Sequence, residues 1–148
     1  MAEPGQRTVL AFDFGTRRIG VAVGNELLGS ASRLDPLTAR DGIPDWQVVE
    51  QLVATWQPDL FVVGLPLELD GSEREICLRA RKFGKRLFGR FGVPCDMVDE
   101  RGSTREAKAI AREEGHQGNY RQEGVDGIAA ALILENWFIR HEGAPPSA

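Results

Sequence analysis

The chain has few residues that could bind a soft metal ion or form a disulfide. Among its 148 residues there are only two cysteines and two histidines, and Cys77 and Cys95 lack the CxxC spacing of a metal or redox motif. Without a histidine cluster beside them, these cysteines argue against both a thiolate zinc site and a disulfide framework. Catalytic chemistry would therefore depend on other side chains.

Long apolar segments are missing as well. No run approaches the roughly 18 residues needed to cross a bilayer. Residues 1–7 also lack the basic and then apolar pattern of a signal peptide. These absences predict a cytoplasmic chain that makes no membrane contact.

The chain has no overall excess of positive charge. Its 18 Lys and Arg residues against 22 Asp and Glu residues give a net charge of −4, which argues against nonspecific coating of nucleic acid. One segment, residues 79–90, nevertheless contains six basic residues and no acidic one: Arg79, Arg81, Lys82, Lys85, Arg86 and Arg90. This basic cluster is either a solvated helix face or a surface that follows phosphates.

Hydrophobic periodicity predicts an α/β fold. The length suits one domain, 1–148, with flexible tails at about residues 1–6 and 142–148. Predicted strands cover residues 9–12, 19–24, 27–34, 60–63 and 95–98. Predicted helices cover about residues 46–56, 76–91, 103–114 and 125–140. Loop signals follow the third strand at Asp35-Pro36 and Asp41-Gly42. The order indicates a mixed five-stranded sheet flanked by helices.

Three of the predicted strands end beside one another. The strands that lead into Asp13, Gly64 and Glu100 are joined through helices, so they should be parallel and share one carboxyl edge. Ligands of open α/β sheets bind outside that edge. The topology therefore predicts that Asp13, a loop over residues 64–71 and Glu100 surround one cleft, with the basic cluster beside it.

Carboxylates that share a cleft repel one another unless a cation neutralises them. Oxygen ligands favour Mg²⁺ or Mn²⁺. Two such ions about 4 Å apart can activate water and stabilise a leaving oxygen without a histidine base. Asp126, at the last helix, is the third candidate acid. Each acid also has a simpler interpretation: Asp13 as a turn residue, Glu100 as half of an ion pair and Asp126 as a helix cap.

Four sequence blocks in order carry a family resemblance. They are Phe12-Asp13-Phe14-Gly15-Thr16-Arg17-Arg18-Ile19-Gly20-Val21-Ala22, then Val63-Gly64-Leu65-Pro66 with Asp70-Gly71, then Asp99-Glu100-Arg101 with Ser103-Thr104 and Ala107, and Val125-Asp126 with Ala129-Ala130. Over nearly its whole length the chain resembles the YqgF family of ribonuclease H-like proteins, described as Holliday junction resolvases and as pre-16S rRNA nucleases. Arg17 departs from the lysine that is more usual in this family. Arg17 keeps the positive charge of that lysine, so a phosphate contact at this position is still expected. A guanidinium stays protonated, which argues against a role of Arg17 in proton transfer.

The resemblance implies a ribonuclease H-like fold and a nuclease that hydrolyses phosphodiester bonds. Catalysis and metal binding would both use Asp13, Glu100 and Asp126, with two Mg²⁺ or Mn²⁺ ions. It also implies a cytoplasmic role in maturing the 5′ end of pre-16S ribosomal RNA. The residues expected to contact nucleic acid are Arg17, Arg18, Arg79, Lys82, Arg86, Arg101 and Arg121. Expected partners are precursor ribosomal RNA or branched DNA, with the ribosome and a second copy of the chain as further candidates.

Three alternative functions remain open. The chain could resolve four-way DNA junctions, or it could bind structured nucleic acid without cutting it. In a third interpretation, residues 13–16 form the phosphate loop of an actin-like ATPase or sugar kinase. Length argues against the third, because those proteins clamp a nucleotide between two duplicated domains.

Overall fold

A mixed six-stranded sheet is flanked by three helices in the part of the chain that the structure describes. The structure is a computed structural model that describes residues 3–65, 75–99 and 122–141, with the backbone alone for residues 99 and 122–126. The strands are β1 (Thr8–Asp13), β2 (Arg18–Asn25), β3 (Ser30–Arg40), β4 (Ile43–Pro44), β5 (Leu60–Leu65) and β6 (Cys95–Asp99), and the helices are α1 (Trp46–Trp56), α2 (Glu75–Phe91) and α3 (Gln122–His141). The sheet order is β4-β3-β2-β1-β5-β6.

The strand directions agree with the sequence prediction. Strands β1, β5 and β6 are parallel, whereas β2, β3 and β4 follow in antiparallel pairs. Helix α3 begins three residues earlier than predicted, at Gln122. Of the predicted loop 64–71, Gly64 and Leu65 instead belong to β5, and residues 66–71 lie outside the described residues. The predicted helix 103–114 and the predicted tail 142–148 also lie outside them. None of the helices in the described ranges is long and apolar enough to cross a membrane.

The third strand begins three residues later than predicted, at Ser30, and ends six residues later, at Arg40. It continues through Asp35 and Pro36, where the sequence predicts a loop. Between two regular pairs of the β2–β3 ladder, Asp35 and Pro36 together face Gly20 alone. This is a β-bulge, and a bulge accepts proline because its extra residue needs no ladder N–H. The loop interpretation of Pro36 was therefore wrong.

The predicted number of five strands was also wrong, because β4 forms a sixth. This two-residue strand pairs with the end of β3 across Asp41 and Gly42. Both residues have positive φ, 52° and 81°, as a two-residue type I′ hairpin turn requires. Asp-Gly is a favoured pair for that turn, so it was a hairpin signal rather than the start of a loop.

Helix α1 has a defined start and a defined end. The Asp45 carboxylate accepts a hydrogen bond from the backbone N–H of Gln47 at 3.0 Å, which is an N-cap. Gln57 adopts the left-handed conformation with φ 45°, and its N–H donates to the carbonyl of Val53 at 2.7 Å. These caps fix where the helix leads into β5.

The sheet separates two apolar layers. Leu10 and Phe12 face a cluster that includes α1 and α2, where the ring centroids of Phe12 and Phe83 are 5.4 Å apart. Val9 and Ala11 face a second cluster formed with α3. This follows the two-residue alternation of a strand. We refer to these sides as the α2 face and the α3 face.

Helix α3 runs in the opposite direction to β1. Near its carboxyl end, the indole Nε1 of Trp137 donates to Asp96 Oδ2 at 2.8 Å, at the start of β6. The guanidinium carbon of Arg7, just before β1, lies 5.4 Å from the centroid of the Trp137 ring. Earlier in the helix, Ala130 packs against Ala22. The last turns of α3 therefore cover the amino ends of the parallel strands, and its first turns lie toward their carboxyl ends.

A half-buried ion pair closes the amino edge of the sheet. Arg7 Nε donates to Glu26 Oε1 at 2.7 Å, and the backbone N–H groups of Gly5 and Arg7 donate to the same oxygen at 3.0 Å each. The Glu26 side chain is 9% exposed. Burial alone would raise the pKa of Glu26, but the Arg7 guanidinium and the two N–H groups together hold that pKa below its usual range.

Replacing Glu26 with glutamine should make stability less dependent on pH. We expect Glu26→Gln to lower the free energy of unfolding by about 1–2 kcal/mol near pH 7. Because the folded pKa is depressed, the stabilisation is fully present above the unfolded pKa of about 4.3 and is lost as the pH falls through the folded pKa. Urea unfolding near pH 7 and near pH 3 measures the difference, which should shrink in acid.

Glu50→Gln is the control, because Glu50 is exposed on α1. It should change stability by less than about 0.5 kcal/mol at either pH. A Glu26→Gln effect that is equally large at both pH values would show that the loss comes from packing and not from the charged hydrogen bonds.

Candidate active site

Asp13 ends β1 at the carboxyl edge of the sheet. The residues on either side of it, Phe12 and Phe14, both belong to the core on the α2 face. The pleat therefore places Asp13 on the α3 face. Asp13 is half-buried. Its buried neighbours fix the backbone that carries this carboxylate.

Two glycines flank Asp13 in the sheet. Gly20 pairs with it on β2, and Gly64 pairs with it on β5. Residues directly opposite one another share a face, with Cβ positions about 4.5–5.5 Å apart. Gly20, Asp13 and Gly64 thus form one row of paired positions across β2, β1 and β5. Only Asp13 has a side chain in that row. Glycines at such positions permit the close approach of a ligand.

Asp126 lies on α3 at the same end of the α3 face. Ala130 packs against Ala22, which pairs with Ala11 on β1. Asp126 precedes Ala130 by one helical turn, about 6 Å, and Asp13 lies two residues beyond Ala11, about 7 Å. Both displacements point toward the carboxyl edge of β1. The structure thus brings the backbone positions of two predicted acids to one end of one face.

The third predicted acid, Glu100, directly follows β6 in the sequence. Val98 on β6 shares a row with Gly64 and Asp13, and β6 ends at Asp99. Glu100 lies outside the described residues, and Asp126 is described by its backbone alone. Among the side chains that are described, no three His, Cys, Asp or Glu groups could hold a metal ion together. Shared metal binding by the three acids stays a prediction.

Two predicted nucleic-acid contacts lie beside Asp13. The connection from β1 to β2 contains Arg17, which is exposed, and leads into Arg18, which is half-buried. Since Ile19 faces the α2 face core, alternation places Arg18 on the α3 face. A Cβ at Gly15 would lie 2.4 Å from the carbonyl oxygen of Arg18, so this tight connection requires glycine at that position.

Arg33 is a candidate residue that the sequence analysis missed. It pairs with Ala22 across the β2–β3 ladder, which places it on the α3 face. A Cβ at Gly127 would lie 3.6–3.7 Å from the Cβ, Cγ and Cδ atoms of Arg33, so its aliphatic stem packs against α3 beside Asp126. A glycine inside a helical pattern is a signal of such a close approach.

The basic cluster of α2 lies on the opposite face from Asp13. The buried stripe of α2 packs into the α2 face core, so this helix is not beside the carboxylate as the sequence analysis expected. Arg79 donates to Asp41 and Glu75 at 2.5 and 3.3 Å, and the hydrogen bond to Asp41 raises the pKa of Arg79. Lys82 is exposed and Arg86 is half-buried. The two remaining predicted contacts, Arg101 and Arg121, lie outside the described residues.

Comparison with known sequences confirms the family resemblance. The profile of the family described as "RuvX: Holliday junction resolvase" matches residues 7–140. A protein of Chromohalobacter salexigens named "Putative pre-16S rRNA nuclease" is 71% identical over 138 residues, 93% of each chain. A protein of the same name from Saccharophagus degradans is 55% identical over 139 residues, 94% of this chain and 98% of its own.

Comparison with solved structures confirms the ribonuclease H-like fold. RuvC of T. thermophilus in complex with a Holliday junction substrate aligns with a TM-score of 0.54 at 16% identity, over 94% of this chain and 98% of that one. The yeast mitochondrial Holliday junction resolvase Ydc2 aligns with a TM-score of 0.54 at 10% identity, over 95% and 81%. At these identities the shared property is the fold. The match to the sequence family then shows that the chain belongs to the RuvX family, a family of nucleases.

Proposed function

We propose that this chain is a divalent-metal-dependent nuclease that acts near the 5′ end of pre-16S ribosomal RNA, as one domain spanning residues 1–148. One observation carries the proposal. Asp13 stands at the carboxyl edge of β1 between Gly20 and Gly64, on the face where α3 carries Asp126. The substrate comes from the names of the relatives that are 71% and 55% identical.

The candidate residues fit a hard divalent cation. Asp13, Glu100 and Asp126 would supply only carboxylate oxygens, which suit Mg²⁺ or Mn²⁺ and not the softer ions that prefer sulfur or imidazole. The row of Asp13 with its two glycines leaves room for ligands other than protein side chains. Bound there, two such ions would activate a water and stabilise the leaving oxygen.

The side chains around the carboxylates would position the substrate. Gly20 and Gly64 allow the scissile phosphate to approach the backbone beside Asp13. Arg18 and Arg33, both on the α3 face, would bind the neighbouring phosphates, because a guanidinium matches two phosphate oxygens at once. The rigid strand β1 holds Asp13 in place, so that little reorganisation is needed during the reaction.

A second candidate function is the resolution of four-way DNA junctions. It is favoured by the description of the matching family and by the fold shared with RuvC. Cleavage of a junction would suit a symmetric dimer with two active sites. Cleavage of precursor RNA would instead suit a chain that works on the ribosome.

A cleavage assay separates these functions. Purified protein with Mn²⁺ is expected to cut a pre-16S RNA that carries its 5′ leader, and EDTA should abolish the cut because the carboxylates then have no cation to hold. The measurement is a time course with end-labelled RNA, run beside a labelled four-way DNA junction.

Each substrate has a distinct outcome. Metal-dependent cutting of the DNA junction alone would replace the proposed substrate with DNA. Tight binding of both substrates without product, in the presence and absence of ribosomal particles, would contradict nuclease function and favour a binding module.

A further inference from the structure

A groove between α2 and β6 lies on the α2 face, away from Asp13. Its volume is about 450 Å³, and it is lined by Arg81, Gly84, Lys85, Phe88, Pro94, Cys95 and Met97. Strand β6 is the outermost strand of the described sheet. The groove therefore lies at the edge of the described sheet, and its lining residues are not those of the candidate active site.

The floor of the groove is apolar and uncharged. A Cβ at Gly84 would lie 2.8 Å from the sulfur of Met97 and 3.0 Å from that of Cys95, so the absence of a side chain lets α2 approach β6 closely. Burial, with a smaller contribution from the Asp96 carboxylate, raises the pKa of Cys95 to about 12. The thiol is therefore neutral near pH 7 and forms part of an apolar surface.

The rim of the groove combines positive charge with an exposed aromatic ring. Arg81, Lys85 and Phe88 are spaced by four and three residues, so they lie on one side of α2. The Phe88 side chain is 55% exposed, although it is a large apolar group. Residues 76–94 contain no acidic residue, so this segment of the chain carries only positive side-chain charges.

This combination fits a single-stranded nucleic acid better than other polyanions. Single-strand binding sites pair basic groups that follow the backbone with an aromatic ring on which a base stacks. A duplex offers no unstacked base, and an acidic peptide would use the cations but not the ring. The groove is large enough for one base, and an apolar floor suits the edge of a ring.

We propose that this groove binds a nucleotide of single-stranded RNA, with the base stacked on Phe88 and the flanking phosphates held by Arg81 and Lys85. The proposal deepens the nuclease function and rests on it for the identity of the RNA. It gives the α2 face a role of its own: to hold a single-stranded part of the substrate at a distance from the bond that is cut.

The affinity of the protein for a fluorescently labelled single-stranded RNA of about 12 nucleotides, measured by fluorescence anisotropy, tests this proposal. EDTA is present in the assay so that the RNA is not cleaved. Phe88→Ala and Phe88→Leu should each weaken binding by about tenfold, whereas Phe88→Trp should bind at least as tightly as the wild type. Ile139→Ala is the control, because Ile139 is another exposed apolar residue on a helix, 67% exposed. It should bind like the wild type.

The charges are tested by salt dependence. Arg81→Gln/Lys85→Gln should reduce the slope of log affinity against log salt by about 1.4, the value for two phosphate contacts on a single strand. Arg40→Gln/Arg140→Gln removes the same charge at two exposed positions and should change the slope by less than half as much.

Several results would overturn the proposal. Wild-type affinity in Phe88→Ala would do so, and so would wild-type affinity in Phe88→Leu, which keeps an apolar side chain without a ring. Competition by poly-glutamate as effective as that by unlabelled RNA would also exclude recognition of a base. These binding results do not depend on catalysis: a chain that never cleaves pre-16S RNA would refute the proposed function and leave the groove intact.

Discussion

Asp13→Asn is expected to lower the rate of metal-dependent RNA cleavage by about 10³-fold or more, which is about 4 kcal/mol of transition-state stabilisation. The substitution removes one negative charge and keeps the shape of the side chain. Asp13 is the proposed metal ligand at the end of β1, so the loss should appear in the cleavage step at saturating RNA. Single-turnover cleavage with excess protein measures it.

Glu50→Gln is the matched control, because Glu50 is an exposed carboxylate on α1, which packs on the α2 face away from Asp13. It should cleave at nearly the wild-type rate. A second measurement separates a lost ligand from a damaged fold: Mn²⁺ should raise the unfolding temperature of the wild type, since a ligand of the folded state stabilises it. Asp13→Asn should lose this shift and keep its metal-free unfolding temperature. Full cleavage activity in Asp13→Asn would show that Asp13 is not a metal ligand of the active site.

Phe12→Ala is expected to lower the free energy of unfolding by about 3–5 kcal/mol. Phe12 is fully buried on the α2 face, at 0% exposure, with its ring centroid 5.9 Å from that of Phe61 and 5.4 Å from that of Phe83. Truncation loses the transfer free energy of the ring and leaves a cavity in the central strand. Domains are stable by only about 5–15 kcal/mol, so this change should be visible as a large fall in the urea midpoint.

Phe88→Ala removes the same atoms from an exposed position and should cost less than about 1 kcal/mol. The comparison isolates burial from side-chain identity. Equal destabilisation by the two substitutions would show that Phe12 is not the packing centre that the described core indicates.

Local patterns in the sequence were sufficient to predict most of the fold. The apolar run into Asp13 and the alternation of branched and small residues over 19–24 predicted strands β1 and β2, and helical spacing predicted α1 and α2. The bulge at Pro36 was missed because its cause lies in another strand: a proline is accepted there only because Gly20 faces two residues. No local pattern contains that pairing.

The candidate site was predicted less completely. Alternation along a strand puts the neighbouring residues Phe12 and Asp13 on opposite faces of the sheet, but which helix covers which face is decided by tertiary packing. For this reason the basic cluster was expected beside Asp13 and lies on the other face. The flanking glycines could be recognised only from strand register. The joint role of Asp13, Glu100 and Asp126 stays a prediction.

Helix α3 comes late in the chain, and in the described part of the molecule it is the one helix that packs against the α3 face. During translation, residues 8–65 are completed roughly 4–15 s before residue 141 is added. Throughout that interval, α3, the helix that covers this side of β1 and β5 among the described residues, is still incomplete. The helix that closes the core is also the one that bears Asp126. In the nascent chain, the second apolar layer would therefore be completed in the same late step that brings Asp126 to the face of the sheet where Asp13 lies.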